Sequence, residues 1–97
     1  MAKKIKWSAR AQQERFEILD YWANRNKSKF YSIKLNQLFL DNIELVSKTP
    51  ELGKPTKYPL VRIKIVRDYL IYYQINSDSI EIITIWDSRR NPKNFRL

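Results

Sequence analysis

The hydrophobic pattern of this chain changes period once, and the change falls on the stretch "KTPELGKP" at residues 48–55. Ahead of it, apolar residues recur at helical spacing. After Pro59 they alternate every second residue, as strands with two distinct faces do. The first half reads as helices in detail. Ser8 suits a helix N-cap, and from Ala9 to about Asn24 the residues Ala11, Ile18, Leu19 and Trp22 form one stripe. "NRNKS" interrupts it, and Ser28 can cap a second helix striped by Leu35, Leu38, Phe39, Ile43 and Val46. Pro50, Gly53 and Pro55 then stop that helix. The short break between the two predicts an antiparallel helical hairpin.

The remaining elements read as strands. "KKIKWS" near the start alternates Lys4 and Lys6 with Ile5 and Trp7, a short strand with one buried face. Beyond Pro59, "LVRIKIV" places Val61, Ile63 and Ile65 on the face expected to be buried and Arg62 with Lys64 on the other. Arg67 and Asp68 offer a turn, 69–75 a second strand, "NSDS" another turn, and 80–86 a third. Two amphipathic helices need a common surface for their stripes. The expected fold is therefore α+β, β-α-α-β-β-β, with the hairpin packed on one face of an antiparallel sheet. The opposite face is left for a partner.

Ninety-seven residues make one domain, 1–97, whose last residues, 87–97, read as an exposed basic tail. There are 19 Lys and Arg against 10 Asp and Glu, a net charge of +9, which points to polyanionic or acidic partners. The chain has no cysteine and no histidine. Disulfides, thiolate sites, histidine-based triads and ordinary zinc sites are thereby excluded, and neither a metal nor another cofactor is expected. No apolar run is long enough for a membrane span and "MAKKIKWSAR" lacks a signal-peptide core, so a cytoplasmic protein is expected.

Arg62 and Lys64, two residues apart, project from one strand face about 6 to 7 Å apart, close to the phosphate spacing of a nucleic-acid strand. Arg67 lies at the adjoining turn, and Arg89 with Arg90 follow the third strand. Which tyrosines join them depends on the hairpin. A two-residue turn at Arg67 and Asp68 sets Arg62 and Lys64 beside Tyr69, Ile71 and Tyr73; a loop one residue longer sets them beside Leu70, Tyr72 and Gln74. Either register supplies a hydroxyl and a stacking face, so Tyr69 and Tyr72 complete the candidate binding set.

The segments "ILDYW", "TPELGKP", "VRIKIVRDYLIYYQI" and "IEIITIWDSRRNP" resemble the RelE/ParE superfamily of small toxins from bacterial type II toxin-antitoxin modules, and the resemblance runs from about Trp7 to Pro92. The resemblance implies two helices packed on an antiparallel sheet, a nearby-encoded acidic antitoxin held in a hetero-complex, and one of two targets. ParE-like members poison DNA gyrase; RelE-like members cleave messenger RNA on the ribosome without a metal. For the second activity Lys64 would serve as general base, Arg62 and Arg89 would hold the phosphate, and Arg90 would assist the leaving group. Two departures count against it. Leu70 stands where the nuclease pattern has an arginine, and the tail offers Phe95 in place of a catalytic tyrosine. The long hairpin and "PELGKP" are similar to ParE.

Overall fold

The computed structural model describes residues 2–97; Met1, within the expected single domain, lies outside the described residues. In chain order the elements are β1 (Lys4–Trp7), α1 (Ala9–Asn26), α2 (Phe30–Lys48), β2 (Lys54–Pro55), β3 (Val61–Val66), β4 (Tyr69–Ile75) and β5 (Ser79–Asp87), with short 3-10 turns at Pro50–Leu52 and Pro92–Asn94. The α+β order and the helical hairpin are those the sequence predicts. Ser8 caps α1, its hydroxyl accepting from Ala11 N at 3.0 Å. Lys27, left-handed at φ 51°, closes α1, and the Ser28 hydroxyl accepts from Phe30 N at 3.2 Å as α2 begins. The α2 stripe is buried at Leu35, Phe39, Ile43 and Val46; the α1 stripe is buried at Ala11 and half-buried at Ile18, Leu19 and Trp22.

The sheet has the order β1-β5-β4-β3-β2. It is mixed rather than wholly antiparallel, because β1 pairs parallel with β5, Lys4 opposite Ser79. A parallel pair needs a long connection, and here everything between the two strands serves as one. β2 is a strand the periodicity does not reveal: two residues, one of them proline, hold no alternation to detect.

The register settles the question of faces. Val66 pairs with Tyr69, so Arg67 and Asp68 form a two-residue turn, with Arg67 left-handed at φ 58°. Lys64 then lies opposite Ile71 and Arg62 opposite Tyr73. Tyr69, Ile71 and Tyr73 belong to the core with Leu35, Phe39 and Ile43. Arg62 and Lys64 are therefore on the helix side of the sheet, and the face expected to be buried is the outer one. Ile65 is 46% exposed and Ile63 half-buried, while Val61 is buried. Alternation identifies two faces of β3, but the large side chains of β4 decide which one turns inward.

The segment after α2 is pinned from inside. The fully buried Tyr73 hydroxyl accepts from Gly53 N at 2.9 Å and donates to the Pro50 carbonyl. Gly53, at φ −72°, is in ordinary extended backbone, so it is space that requires it. A Cβ there would press on the Tyr73 ring and lie 2.9 Å from the Ile63 carbonyl. Arg62, across from Tyr73, donates from Nη1 to the Gly53 carbonyl at 2.7 Å and the Glu51 carbonyl at 3.2 Å. Replacing Tyr73 with Phe leaves a buried N–H and a buried C=O without partners. The expected loss is about 1 to 3 kcal/mol in urea-induced unfolding, with an unchanged denaturant slope.

Candidate functional site

Two places on the molecule gather the predicted side chains, and Arg62 and Lys64 are in neither. Arg62 is spent on the carbonyls of Glu51 and Gly53. Lys64 is half-buried on the helix side of β3, and Arg67 is exposed at the turn.

The first place is a cleft of about 430 Å³ where α1 crosses the end of β5, lined by Glu14, Glu17, Tyr21, Tyr69, Asp87, Arg89 and Arg90 among others. β1 covers β5 only as far as Ile82. Past that point a side chain from α1 takes the strand's place. Glu14 Oε1 accepts from Ile85 N at 3.1 Å and from the Thr84 hydroxyl at 2.6 Å, next to a register shift in the β4–β5 ladder. On its other side Glu14 Oε2 pairs with Arg10 at 3.4 Å. Read from its spacing, Glu14 belongs to the polar surface of α1; in the fold it closes a sheet edge.

Tyr69 is buried, and its hydroxyl accepts from Trp22 Nε1 at 2.8 Å. Burial pushes that hydroxyl's pKa up, opposed by the indole hydrogen bond, which lowers it. Tyr69 is thus a core tyrosine that also lines the cleft. Asp87 is held by Arg89 through three contacts: Arg89 N to Oδ1 at 2.9 Å, Nε to Oδ1 at 3.0 Å and Nη2 to Oδ2 at 2.8 Å. The pair keeps the Asp87 carboxyl below its usual range and raises the Arg89 guanidinium.

The second place is the outer face of the sheet. Tyr72, half-buried there, stacks on Phe95 with ring centroids 4.7 Å apart and 29° between planes. Phe95 also meets Trp86 edge-on at 5.1 Å, and the Arg90 guanidinium lies 4.5 Å from the Trp86 ring centre. Burial raises the Tyr72 hydroxyl. Residues 88–94, 96 and 97 are exposed, while β5 runs through Asp87 and Phe95 folds back onto the sheet. The signal for that was present: Phe95 is a single aromatic in a polar, cationic tail. Glu14, Tyr21 and Trp86 carry no such signal, because tertiary packing alone brings them to these places.

Two helices on one face of a five-stranded mixed sheet give the ParE-like architecture of a small toxin. The family model of the ParE toxin of type II toxin-antitoxin system, parDE, matches residues 5–92, and the chain belongs to that family. Among solved structures it is similar in fold to one described as a chromosomal ParDE TA system from P. aeruginosa. The TM-score is 0.74 at 17% identity, over 87% of this chain and 94% of that one. A search of curated proteins gave no match.

Two outcomes follow from the cleft. Glu14→Ala strips the acceptor from Ile85 N–H and Thr84, with an expected cost of about 1 to 3 kcal/mol and faster hydrogen exchange at the Ile85 amide. For Asp87, the folded pKa lies below the unfolded one. Its contribution to stability is therefore complete above the unfolded pKa and is lost as pH falls through the folded value. Acid titration of stability is expected to show this loss below about pH 4 in the parent and its absence in Asp87→Asn.

Proposed function

We propose that the protein, as the toxin of a type II module, arrests growth by acting on DNA gyrase in the cytoplasm, and that an acidic antitoxin encoded nearby neutralises it in a hetero-complex. Membership of the ParE family supports this reading. The single observation that carries it against ribonuclease action is the engagement of Arg62. Its guanidinium is held by two backbone carbonyls at 2.7 and 3.2 Å, which takes it away from a phosphate. Two others agree with it. Arg89 is already neutralised by Asp87, and Leu70 offers no charge for a developing phosphorane. Of the predicted strand and turn cations, Arg67 is exposed and suits a contact with a protein target, while Lys64 is half-buried on the helix side of the sheet. No described helix is long and apolar enough to cross a membrane.

The antitoxin would be recognised through charge and apolar contact together. The net charge of +9 favours an acidic partner, and the outward groove of the hairpin, with Leu19, Ala23 and Ile33 along it, suits an amphipathic helix. Purified protein is expected to make gyrase accumulate cleaved plasmid while messenger RNA in a translating extract stays full length. Transcripts cut on the ribosome, with gyrase supercoiling unaffected at the same concentration, would replace this reading with the interferase one.

A further inference from the structure

The outer face of the sheet holds a slot made for a flat ring, and the chain's own tail fills it. Phe95 lies against Tyr72 in stacked geometry and meets Trp86 edge-on. Trp86 is only 6% exposed, because Phe95 and Arg90 lie over it. Phe95 and Tyr72 line two hollows, of about 620 and about 200 Å³. Among the described residues, the side chains lining them include Lys57, Arg90 and Arg96 and no carboxylate.

The tail is weakly held in this position. The hydrogen bonds of residues 91–97 stay within the segment: Lys93 N to Asn91 Oδ1, Asn94 N to Asn91 O, Phe95 N to Pro92 O, and Arg96 Nη1 to the carbonyls of Lys93 and Phe95. The Phe95 ring contacts hold it to the sheet without a hydrogen bond. The fit is also electrostatically poor, since Arg96 brings a further cation to a surface that already has Lys57 and Arg90. An occupant combining a flat ring with negative charge satisfies the slot better than the tail does.

We infer that the Tyr72–Trp86 slot is a binding site for a base of single-stranded nucleic acid, which Phe95 occupies in the free protein. Single strands present unstacked bases to aromatic platforms and phosphates to the surrounding cations, whereas a duplex hides the ring faces. Phe95 then acts as a competitor built into the chain. Affinity is reduced by the fraction of molecules in which the tail fills the slot. This site is separate from the contact with gyrase and does not rest on that reading.

The test measures fluorescence anisotropy of labelled oligo(dT) and oligo(U), and of a duplex of the same length, with the parent protein, Phe95→Ala and Tyr72→Leu. A chain ending at Asn91 is the second opening variant, and thermal melting checks that each protein is folded. With three cations engaged, single-strand binding is expected to weaken with salt at a log-log slope of about −2. Phe95→Ala should bind about threefold tighter or more, and the shortened chain, which opens the slot but also loses Arg96, should show a salt slope reduced to about −1.4. Tyr72→Leu, which keeps apolar bulk and loses the stacking face, should bind at least about fivefold more weakly. The duplex should bind more weakly than either single strand. Equal affinities for parent and variants overturn the site, as does a duplex that binds as well as a single strand. A polyglutamate peptide displacing the oligonucleotide at equal charge would show an acidic-peptide surface instead. Gyrase supercoiling, measured on the same proteins, distinguishes failure here from failure of the proposed target.

Discussion

The Tyr73 hydroxyl is the contact on which the rest of the arrangement depends. It sits on the central strand, fully buried, and holds Pro50 and Gly53 of the segment that ends the helical half of the chain. Arg62, its partner across the ladder, holds Glu51 and Gly53 from the neighbouring strand. Two side chains on paired strands thus grip one short loop, and the grip fixes where α2 ends relative to the sheet. A buried polar group is tolerated only when its bonds are made, and here each bond also performs a topological task. The only glycine of the chain is required for the same reason, since the Tyr73 ring needs room against the backbone.

The use of Arg62 shows what a sequence conveys and what it does not. The elements were legible because period and breakers are local: the Ser8 cap, the α2 stripe and the turn at residues 76–79 all stand where their residues predict. The inner face of β3 was not. Val61, Ile63 and Ile65 look like a core face in isolation, yet the turn at Arg67 and Asp68 hands the inner side to Arg62 and Lys64. That turn carries none of the Asn-Gly or Asp-Gly signals that announce a tight hairpin, and a left-handed arginine has no sequence signature. β2 was invisible for want of length, and the parallel pairing of β1 for want of any local cause. Of the candidate site, the sequence brought out Tyr72, Arg89 and Arg90. It missed Glu14 and Trp86 because their roles exist only once α1 and the tail have packed.

Net charge alone overstates how much cationic surface is free to act. Arg62 serves the loop, Arg89 serves Asp87, and Arg15 lies between Trp7 and Phe16 with Asn36 Oδ1 at 3.2 Å from its Nη1. Partial burial lowers the Arg15 pKa, and its Nε is buried without a partner, as is Gln12 Oε1 on the same helix three residues earlier. Such a cation contributes through its contact with two rings more than through its charge. Exposed cations remain on β1 (Lys4, Lys6), at the hairpin bend (Arg25, Lys27, Lys29), at the Arg67 turn and along the tail (Arg90, Lys93, Arg96).

Leu70 joins these observations. It pairs with Trp86 across the ladder and lines the hollow that also contains Tyr72, Arg90 and Phe95. An arginine at 70 would bring a second guanidinium to a place where Arg90 already lies over the Trp86 ring. Two like charges over one partly dry aromatic surface repel, and the second would have to turn outward, uncovering the indole. Leucine keeps that surface apolar and lets Phe95 close over it. The residue that argues against phosphate chemistry is therefore also the one that makes an aromatic slot possible on the outer face of the sheet.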